Sequence, residues 1–561
     1  MKFNRRKFFR RFGRVSLVLL CVLVVGYFWF KQRVTILPPA VEFTAVIEEE
    51  RVVTGVDSYS IRNNWLRKNE EGLYEMYLEG SPYELGLLHG KLAKELVQKQ
   101  EDVFVDQIKT MIPVSVFRKF LNYFIAWFNR DIDTYIPIEY LQEIYGVSQS
   151  SSDAYNNVIG PKYNRILNYH AAHDIGHALV DMKLVGCTSF AVWDKFAQDS
   201  SLLIGRNFDF YAGDAFAEDK LIGFIKPKNG HPFMYVTWGG MIGVVSGMNN
   251  QGLTVTINAS KSEMPKLAAT PISIVAREIL QYATNIEEAV AIAKKRKVFV
   301  SESLLIGSAN DKRAVIIEKA PEKMGVYAGS STKIICSNHY QSDVFKSDAV
   351  NIENIESSSS GYRMRKMQQL LHDSVQVDTY SASTILRDRS GLNFENIGNG
   401  NENAINQLIA HHAIIFKPES REVWVSSPPY QLGTFVHYNL DSVFSIHAKG
   451  QPFVSQKDKN IQSDTFLDSG FATYEQYKLL KDAFTSAIEK EERLVDESIK
   501  EVEFIRSNTE MYWVYVVLGD YYMFFEDNNK AVELYQIALE KSIPTFKERD
   551  YILAQLSKLK Q

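Results

Sequence analysis

The rhythm of apolar and polar positions changes three times along this chain. Residues 15–30 form an uncharged apolar run behind a basic stretch, Met1 to Arg14. From about residue 80 to residue 128, apolar side chains recur at helical spacing. Ser81 is a candidate N-cap with Pro82 at the first helical position. Gly86 and Gly90, one turn apart, leave a smooth stripe for close packing, and His89 between them reads as a packed or capping histidine. Within 111–128, Val116, Phe117, Phe120, Leu121, Phe124 and Trp127 cover more than one face. That pattern suits either a core helix between two domains or a wall facing a membrane or an acyl-chain pocket.

From residue 187 the rhythm shortens. Runs at 190–193, 202–208, 233–237, 252–257, 303–307, 313–319, 325–328 and 333–337, bounded by turn signals, read as strands. Helical patterns at 272–282 and 286–296 interrupt them, the second behind Asn285 as a cap. Residues 357–360 are a serine run, expected to be flexible, that leads into a helix. Residues 391–403 read as a loop, and 414–418 with 422–426 as a hairpin. Strand groups with helices inserted imply an α+β fold in which two sheets pack together under helices. After about residue 462 the pattern is helical again, with 472–491 one long amphipathic candidate.

Length and charge refine this picture. The 561 residues allow two or three domains. Residues 1–33 hold nine Lys and Arg and no acid, leaving 54 basic against 67 acidic residues in the remainder. An acidic body argues against a nucleic-acid partner. The basic flank predicts a cytoplasmic N-terminus and an extracytoplasmic body, periplasmic in a bacterium. The run at 15–30 lies at the short edge of a membrane span. Phe28-Trp29-Phe30-Lys31 offers no small-residue cleavage site, which favours a retained signal anchor over a removed signal peptide. Asn4-Arg5-Arg6-Lys7-Phe8-Phe9-Arg10 resembles a twin-arginine export signal, although a basic flank that happens to contain Arg-Arg reads the same way.

The candidate chemistry sits at Val185-Gly186-Cys187-Thr188-Ser189-Phe190, followed by Gly205-Arg206-Asn207-Phe208-Asp209. Cutting the Gly186–Cys187 bond would make Cys187 an N-terminal residue carrying a nucleophile and a base together. A free α-amine titrates near pH 7.7–8.0 and can take the thiol's proton. These residues resemble the N-terminal-nucleophile (Ntn) hydrolases. The nearer likeness is to the autoproteolytic acyltransferases and hydrolases related to acyl-CoA:6-aminopenicillanic acid acyltransferase, with bile-salt and penicillin V acylases further off. The resemblance runs from about Tyr74 to about Gly433 and implies a four-layer αββα sandwich with Cys187 at a strand's N-terminal end. Eighteen residues separate Cys187 from Arg206, more than the related bile-salt hydrolases use, so the turn near 198–201 is expected to be extended.

The resemblance also implies roles. Cys187 attacks a linear amide and forms a thioester. Arg206 stabilises the thiolate, Asp209 orients the α-amine, and Asn258 and Asn338 lie where relatives place oxyanion or substrate-positioning asparagines. Arg363 aligns with an arginine close to the nucleophile, with Arg365 as its rival. Water or a second amine then resolves the acyl-enzyme, giving hydrolysis or transfer. The reading from a different class is a catalytically silent Ntn-like scaffold on a membrane anchor. No cofactor or metal is implied. His173 and His177, at i and i+4, have a zinc-compatible spacing, but Asp174 stands where zinc proteases carry glutamate. Together with His170, they read as hydrogen-bonding residues that position the segment before the Gly-Cys bond.

The expected organisation is a basic flank (1–14), an anchor (15–30), a propeptide-like helical small chain (31–186), a catalytic core (187–440) and a helical C-terminal region (441–561). Within that last region, Tyr515-x2-Leu518-Gly519-x2-Tyr522, then Ala531-x3-Tyr535-x2-Ala538 and Pro544, resembles one tetratricopeptide (TPR) repeat. A single repeat cannot bury its own face, so it should pack on the preceding helix or on the catalytic core, with a protein partner left open. The expected small-molecule partner is an amphiphilic N-acyl compound.

Overall fold

Two β-sheets organise the computed structural model, which describes residues 5–156, 159–171, 186–211, 213–261, 268–329, 332–448 and 456–559. Among the described residues one sheet has eleven strands and the other six. The six-stranded sheet contains the Thr188–Asp194 and Ser200–Phe208 strands, flanked by Lys333–Cys336 on one side and by His412–Lys417, Glu422–Ser426 and Phe435–Asn439 on the other.

Alternation along these strands decides the layering. Ala191, Trp193, Leu202, Ile204, Ile414 and Phe416 face the larger sheet, where Phe224, Met234, Leu305 and Ile316 meet them in one core. Their neighbours Phe190, Val192, Leu203 and Ile415 face outward, onto the Ser359–Leu370 and Thr379–Leu386 helices. The far side of the larger sheet is covered by the Pro82–Leu92, Ile138–Ser148 and Ile272–Tyr282 helices. The layers therefore run helix, sheet, sheet, helix.

The segment before Cys187 departs from the helical expectation. Strands Val52–Gly55, Ser58–Ile61, Asn64–Lys68 and Tyr74–Gly80 extend the larger sheet. Tyr74–Gly80 pairs in parallel with Leu221–Pro227, and most of it is buried on both faces. It lacks the alternation that marks a half-exposed strand, and its partner lies some 150 residues along the chain. The helical part behaves as expected. A Cβ on Gly86 would sit 1.9 Å from the Glu143 carbonyl oxygen, so the two helices approach there to backbone contact. At the helix start, the Ser81 N–H donates to the Glu84 carboxylate at 2.9 Å.

The Ser115–Phe128 helix is not a core helix: none of its residues is buried. Ile125 and Phe128 rest on the body, with Phe128 against Phe299, while Val116, Phe117 and Phe120 are 65–71% exposed. Trp127 and Tyr123 meet Trp29 and Phe30 of the Arg5–Val34 helix. That helix includes a 23-residue stretch, Phe12–Val34, long and apolar enough to cross a membrane. At about 1.5 Å per residue it spans roughly 35 Å.

The serine run is ordered. Ser358 caps the Ser359–Leu370 helix, and Ser360 Oγ receives the Asn338 N–H at 2.8 Å. At the C-terminus, the Phe471–Glu489, Glu497–Ser507, Tyr512–Phe524 and Asn528–Glu540 helices share one apolar core with Leu408, Tyr430 and Leu432 of the sheet region. The C-terminal helices thus pack both on one another and on the body. The Leu440–Ala448 helix belongs with the sheets, since Leu440 and Val443 enter their shared core.

Candidate active site

The hairpin formed by the Thr188–Asp194 and Ser200–Phe208 strands builds the site. Ser189 pairs with Arg206 and Thr188 with Asn207, and the register slips between Val192 and Asp194 to absorb the long connection. Ser189 and Arg206 share the face toward the larger sheet, and Cys187, two residues before Ser189, has the same parity. Arg206 Nη2 lies 3.8 Å from Cys187 Sγ, and the thiol donates to the Asp209 carbonyl at 3.7 Å. Arg206 is fully buried; it also donates to the carbonyls of Val245 and Ile257 and to Ser246 Oγ. Asn207 faces the opposite layer and donates to the Leu386 and Ile405 carbonyls.

Burial pushes the Cys187 thiol up to about 11 against the pull of the Arg206 charge. Burial likewise raises the Asp209 carboxyl to about 7, opposed by Arg363 and Arg206. Neither Asp209 carboxylate oxygen has a hydrogen-bond partner among the described residues. A buried carboxylate so placed is costly unless a donor or a cation meets it.

The bond before Cys187 is gripped from afar. Gln407 Nε2 donates to the Gly186 carbonyl oxygen at 2.8 Å, and the Gly186 N–H donates to the Asp209 carbonyl at 3.1 Å. A Cβ on residue 186 would fall 2.3 Å from Gln407 Nε2, so only glycine fits beneath that amide.

Arg363 joins the site and Arg365 does not. Arg363 is buried and donates to Thr188 Oγ1 at 3.2 Å, to Asn338 Oδ1 at 2.5 Å and to the Glu402 carbonyl at 2.9 Å, whereas Arg365 is exposed. Asn338 is half-buried, its Nδ2 donating to the Ala259 carbonyl at 2.9 Å. Asn258 is placed differently from an oxyanion donor. It is buried between the sheets, with Oδ1 accepting from Ser189 Oγ at 2.8 Å and Nδ2 donating to the Cys336 and Ser337 carbonyls. Its amide hydrogens are committed to backbone, so it braces the hairpin that carries Cys187.

A polar chain behind Arg206 was not legible beforehand. Ser246 Oγ, which accepts from Arg206, lies 2.9 Å from His412 Nε2, and His412 Nδ1 lies 2.9 Å from His411 Nδ1. Burial drives both imidazoles well below their ordinary range, so they are neutral. A neutral tautomer assignment consistent with these contacts has Ser246 donating to His412 and His412 donating to His411. Its only sequence signal was a His-His pair opening a strand pattern.

His89 and His170 act elsewhere. His89 Nε2 accepts from the Gly240 N–H at 3.1 Å and His170 Nε2 from the Ile242 N–H at 3.0 Å. Both are buried and pushed down, to about 3 and about 4. They hold the backbone of residues 240–242, and most of the segment before Gly186 lies outside the described residues. His173 and His177 lie outside the described residues.

Comparison with known proteins follows this geometry. Residues 196–429 match the family model described as acyl-coenzyme A:6-aminopenicillanic acid acyl-transferase, a stretch containing Arg206, Asp209, Asn258, Asn338, Arg363 and Gln407. An uncharacterized protein of Archaeoglobus fulgidus is 28% identical over 273 residues, covering 46% of this chain and 45% of its own. Protein dcd1B of Dictyostelium discoideum is 21% identical over 271 residues, covering 45% of this chain and 51% of its own. The chain thus spans about half the length of the curated relatives it matches. Among solved structures, a Caenorhabditis elegans ortholog of N-acylethanolamine-hydrolyzing acid amidase aligns at 15% identity and TM-score 0.31, covering 42% of this chain and 93% of that one. A conjugated bile acid hydrolase mutant from Clostridium perfringens aligns at 11% identity and TM-score 0.31, covering 48% and 96%. At these scores the structural likeness is slight, and it is the family match that bears on identity. Over residues 196–429 the chain is similar to the acyl-coenzyme A:6-aminopenicillanic acid acyl-transferase family.

Proposed function

We propose that this protein is a self-processing amidohydrolase whose nucleophile is Cys187. The observation that carries the reading is the Gly186 carbonyl held by Gln407, beside a buried thiol and the unpartnered Asp209 carboxylate. In the first stage Cys187 Sγ attacks the Gly186 carbonyl carbon, with Gln407 donating to the developing oxyanion. The peptide C–N bond breaks, the Cys187 nitrogen takes up a proton, and a thioester joins Gly186 to the sulfur. Water cleaves it, leaving Gly186 as a carboxylate and Cys187 with a free amine and thiol.

The new amine meets the need of Asp209, which accepts from it. In turnover that amine takes the thiol's proton, and the thiolate attacks a linear amide. Arg206 stabilises the thiolate, since a nearby cation lowers a thiol's pKa. Asn338, oriented by Arg363, donates to the oxyanion; Asn258 acts by bracing. The amine product leaves protonated, and water resolves the thioester. Acyl transfer is the second reading, favoured by the description of the matched family. It differs only in that an amine replaces water at the last step.

We further infer that the Arg5–Val34 helix anchors the protein, with the catalytic body on the non-cytoplasmic side. The exposed face of Ser115–Phe128, in contact with that helix, would rest on the same lipid surface. Partner docking by the TPR-like pair has less support, because its apolar faces already pack on their neighbours and the body.

The deciding experiment is mass analysis of the full chain purified in detergent. A new N-terminus at Cys187, lost in Cys187→Ala, is expected, together with hydrolysis of N-acyl amines that requires the cut. An intact wild-type chain that also ignores thiol-directed acyl probes would refute the enzyme and favour the silent scaffold. Adding a free amine acceptor separates transfer from hydrolysis.

A further inference from the structure

A cleft of about 650 Å³ opens next to the site, and two distant parts of the chain line it. One wall carries Asn338, Arg363 and Gln407; Gln407 holds the Gly186 carbonyl and Arg363 reaches Thr188, next to Cys187. The opposite wall is the start of the last helix, Phe546–Leu559, through Thr545, Phe546, Lys547 and Asp550.

That helix is fixed in place. Asn401 Nδ2 donates to the Ser542 carbonyl at 2.9 Å, and Asn403 Nδ2 lies 3.2 Å from Ser542 Oγ. Glu402, between these two asparagines, lends its carbonyl to Arg363. One short segment therefore ties both the site arginine and the turn that leads into the last helix. Glu548, held by Tyr512 and Thr545 at 2.6 and 3.0 Å, locks the first turn from inside.

The lining is mostly polar. Four consecutive serines, Ser357 to Ser360, and three amide side chains outnumber the apolar contributors Ala259, Val350 and Phe546. Lys547 and Asp550, both exposed and three residues apart on one helix face, set opposite charges at the rim, with Glu353 across from them on the other wall. A long hydrocarbon chain would leave these groups desolvated without partners.

We propose that the C-terminal helix forms the outer wall of the substrate cleft, and that Lys547 and Asp550 select a polar substrate portion bearing both charges, an amino-acid or short-peptide moiety. Lys547 meets its carboxylate, and Asp550 and Glu353 its ammonium group. The inference rests on the amidohydrolase reading above and gives the C-terminal region a part in specificity.

The test is a panel of amides sharing one acyl group, whose amine portions are an acidic amino acid, a neutral capped one and a basic one. Full-length wild type, Lys547→Glu, Asp550→Lys and the double exchange are assayed for kcat and KM. Lys547→Glu should raise KM for the acidic member about three- to tenfold, the reach of one partly solvated charge pair. It should leave the neutral member and kcat within about twofold. Asp550→Lys should do the same to the basic member, and the double exchange, which puts each charge in the other's place, should raise KM for both. Both residues are exposed, so folding is not at stake. Unchanged KM values in an enzyme with Cys187-dependent turnover would overturn this inference alone. Absence of Cys187-dependent turnover of any member would overturn the function reading, and this inference with it.

Discussion

The side-chain amide of Gln407 donates to the carbonyl oxygen of Gly186 across 221 residues of sequence, at 2.8 Å. In the proposed self-cleavage, a donor in that position would meet negative charge as it develops on the oxygen during attack by Cys187. Replacing Gln407 by Leu, similar in length without a donor, should slow self-cleavage by roughly 10²–10³, the usual effect of losing one oxyanion donor. The rate at which the full-length band converts to two fragments measures it. Cleavage at the wild-type rate would remove Gln407 from the first stage.

Gly186→Ala provides an independent check of the same grip. Its Cβ would collide with Gln407 Nε2 at 2.3 Å, so the amide must move off the carbonyl. The variant should accumulate uncut, and combining it with Gln407→Ala, which clears the space, should restore no more than the slow rate of Gln407→Leu. Time-resolved fragment analysis distinguishes the cases.

Asp209 makes the uncut chain sensitive to pH. Its folded pKa of about 7 lies above the ordinary carboxyl value of 3.8, so the folded state holds its proton more tightly than the unfolded state. Stability should therefore fall as pH rises from about 4 to about 7 and stay level above that. Cys187→Ala keeps the chain uncut. Against that background, Asp209→Asn should remove the fall and gain on the order of a few kcal/mol at pH 8, with little gain at pH 4. Denaturant midpoints across pH compare the two directly. Equal slopes would show that Asp209 has a partner in the uncut chain.

The proposed lipid contact of the Ser115–Phe128 helix can be tested by depth. A spin label on Phe120→Cys, in the full chain reconstituted in liposomes, should be more accessible to oxygen than to a polar nickel reagent. A label on Asn310→Cys, on a solvent-exposed turn of the body, should show the reverse. Equal polar accessibility at both positions would place the Ser115–Phe128 helix away from lipid.

Gly519 sets the approach of the last helix pairs. A Cβ there would lie 2.7 Å from Tyr535 Cε1, within a buried ring packed between helices. Alanine normally favours a helix over glycine by about 1 kcal/mol. Here overpacking, worth about 1–3 kcal/mol, should exceed that gain and lower the thermal midpoint. A rise in midpoint would mean the helices separate at little cost.

Cys187, Arg206 and Asp209 were readable through the family resemblance, and one hairpin brings them together. Most strands of the two sheets were readable because their apolar runs stop at turn signals, whereas Leu221–Pro227, Ser246–Asn249 and Phe435–Asn439 were not. Local rhythm also marked the apolar N-terminal helix and the close-packing glycines. What local rhythm carries is the periodic burial of a segment against something; it does not name the something. Only the tertiary structure decided that Tyr74–Gly80 joins the larger sheet, that Gln407 reaches Gly186, that His412 and Ser246 stand behind Arg206, and that Asn258 spends its hydrogens on backbone. It also brought Lys547 to the cleft that holds Arg363. These pairings join residues tens to hundreds of positions apart, a separation that the local rhythm of apolar and polar positions does not encode.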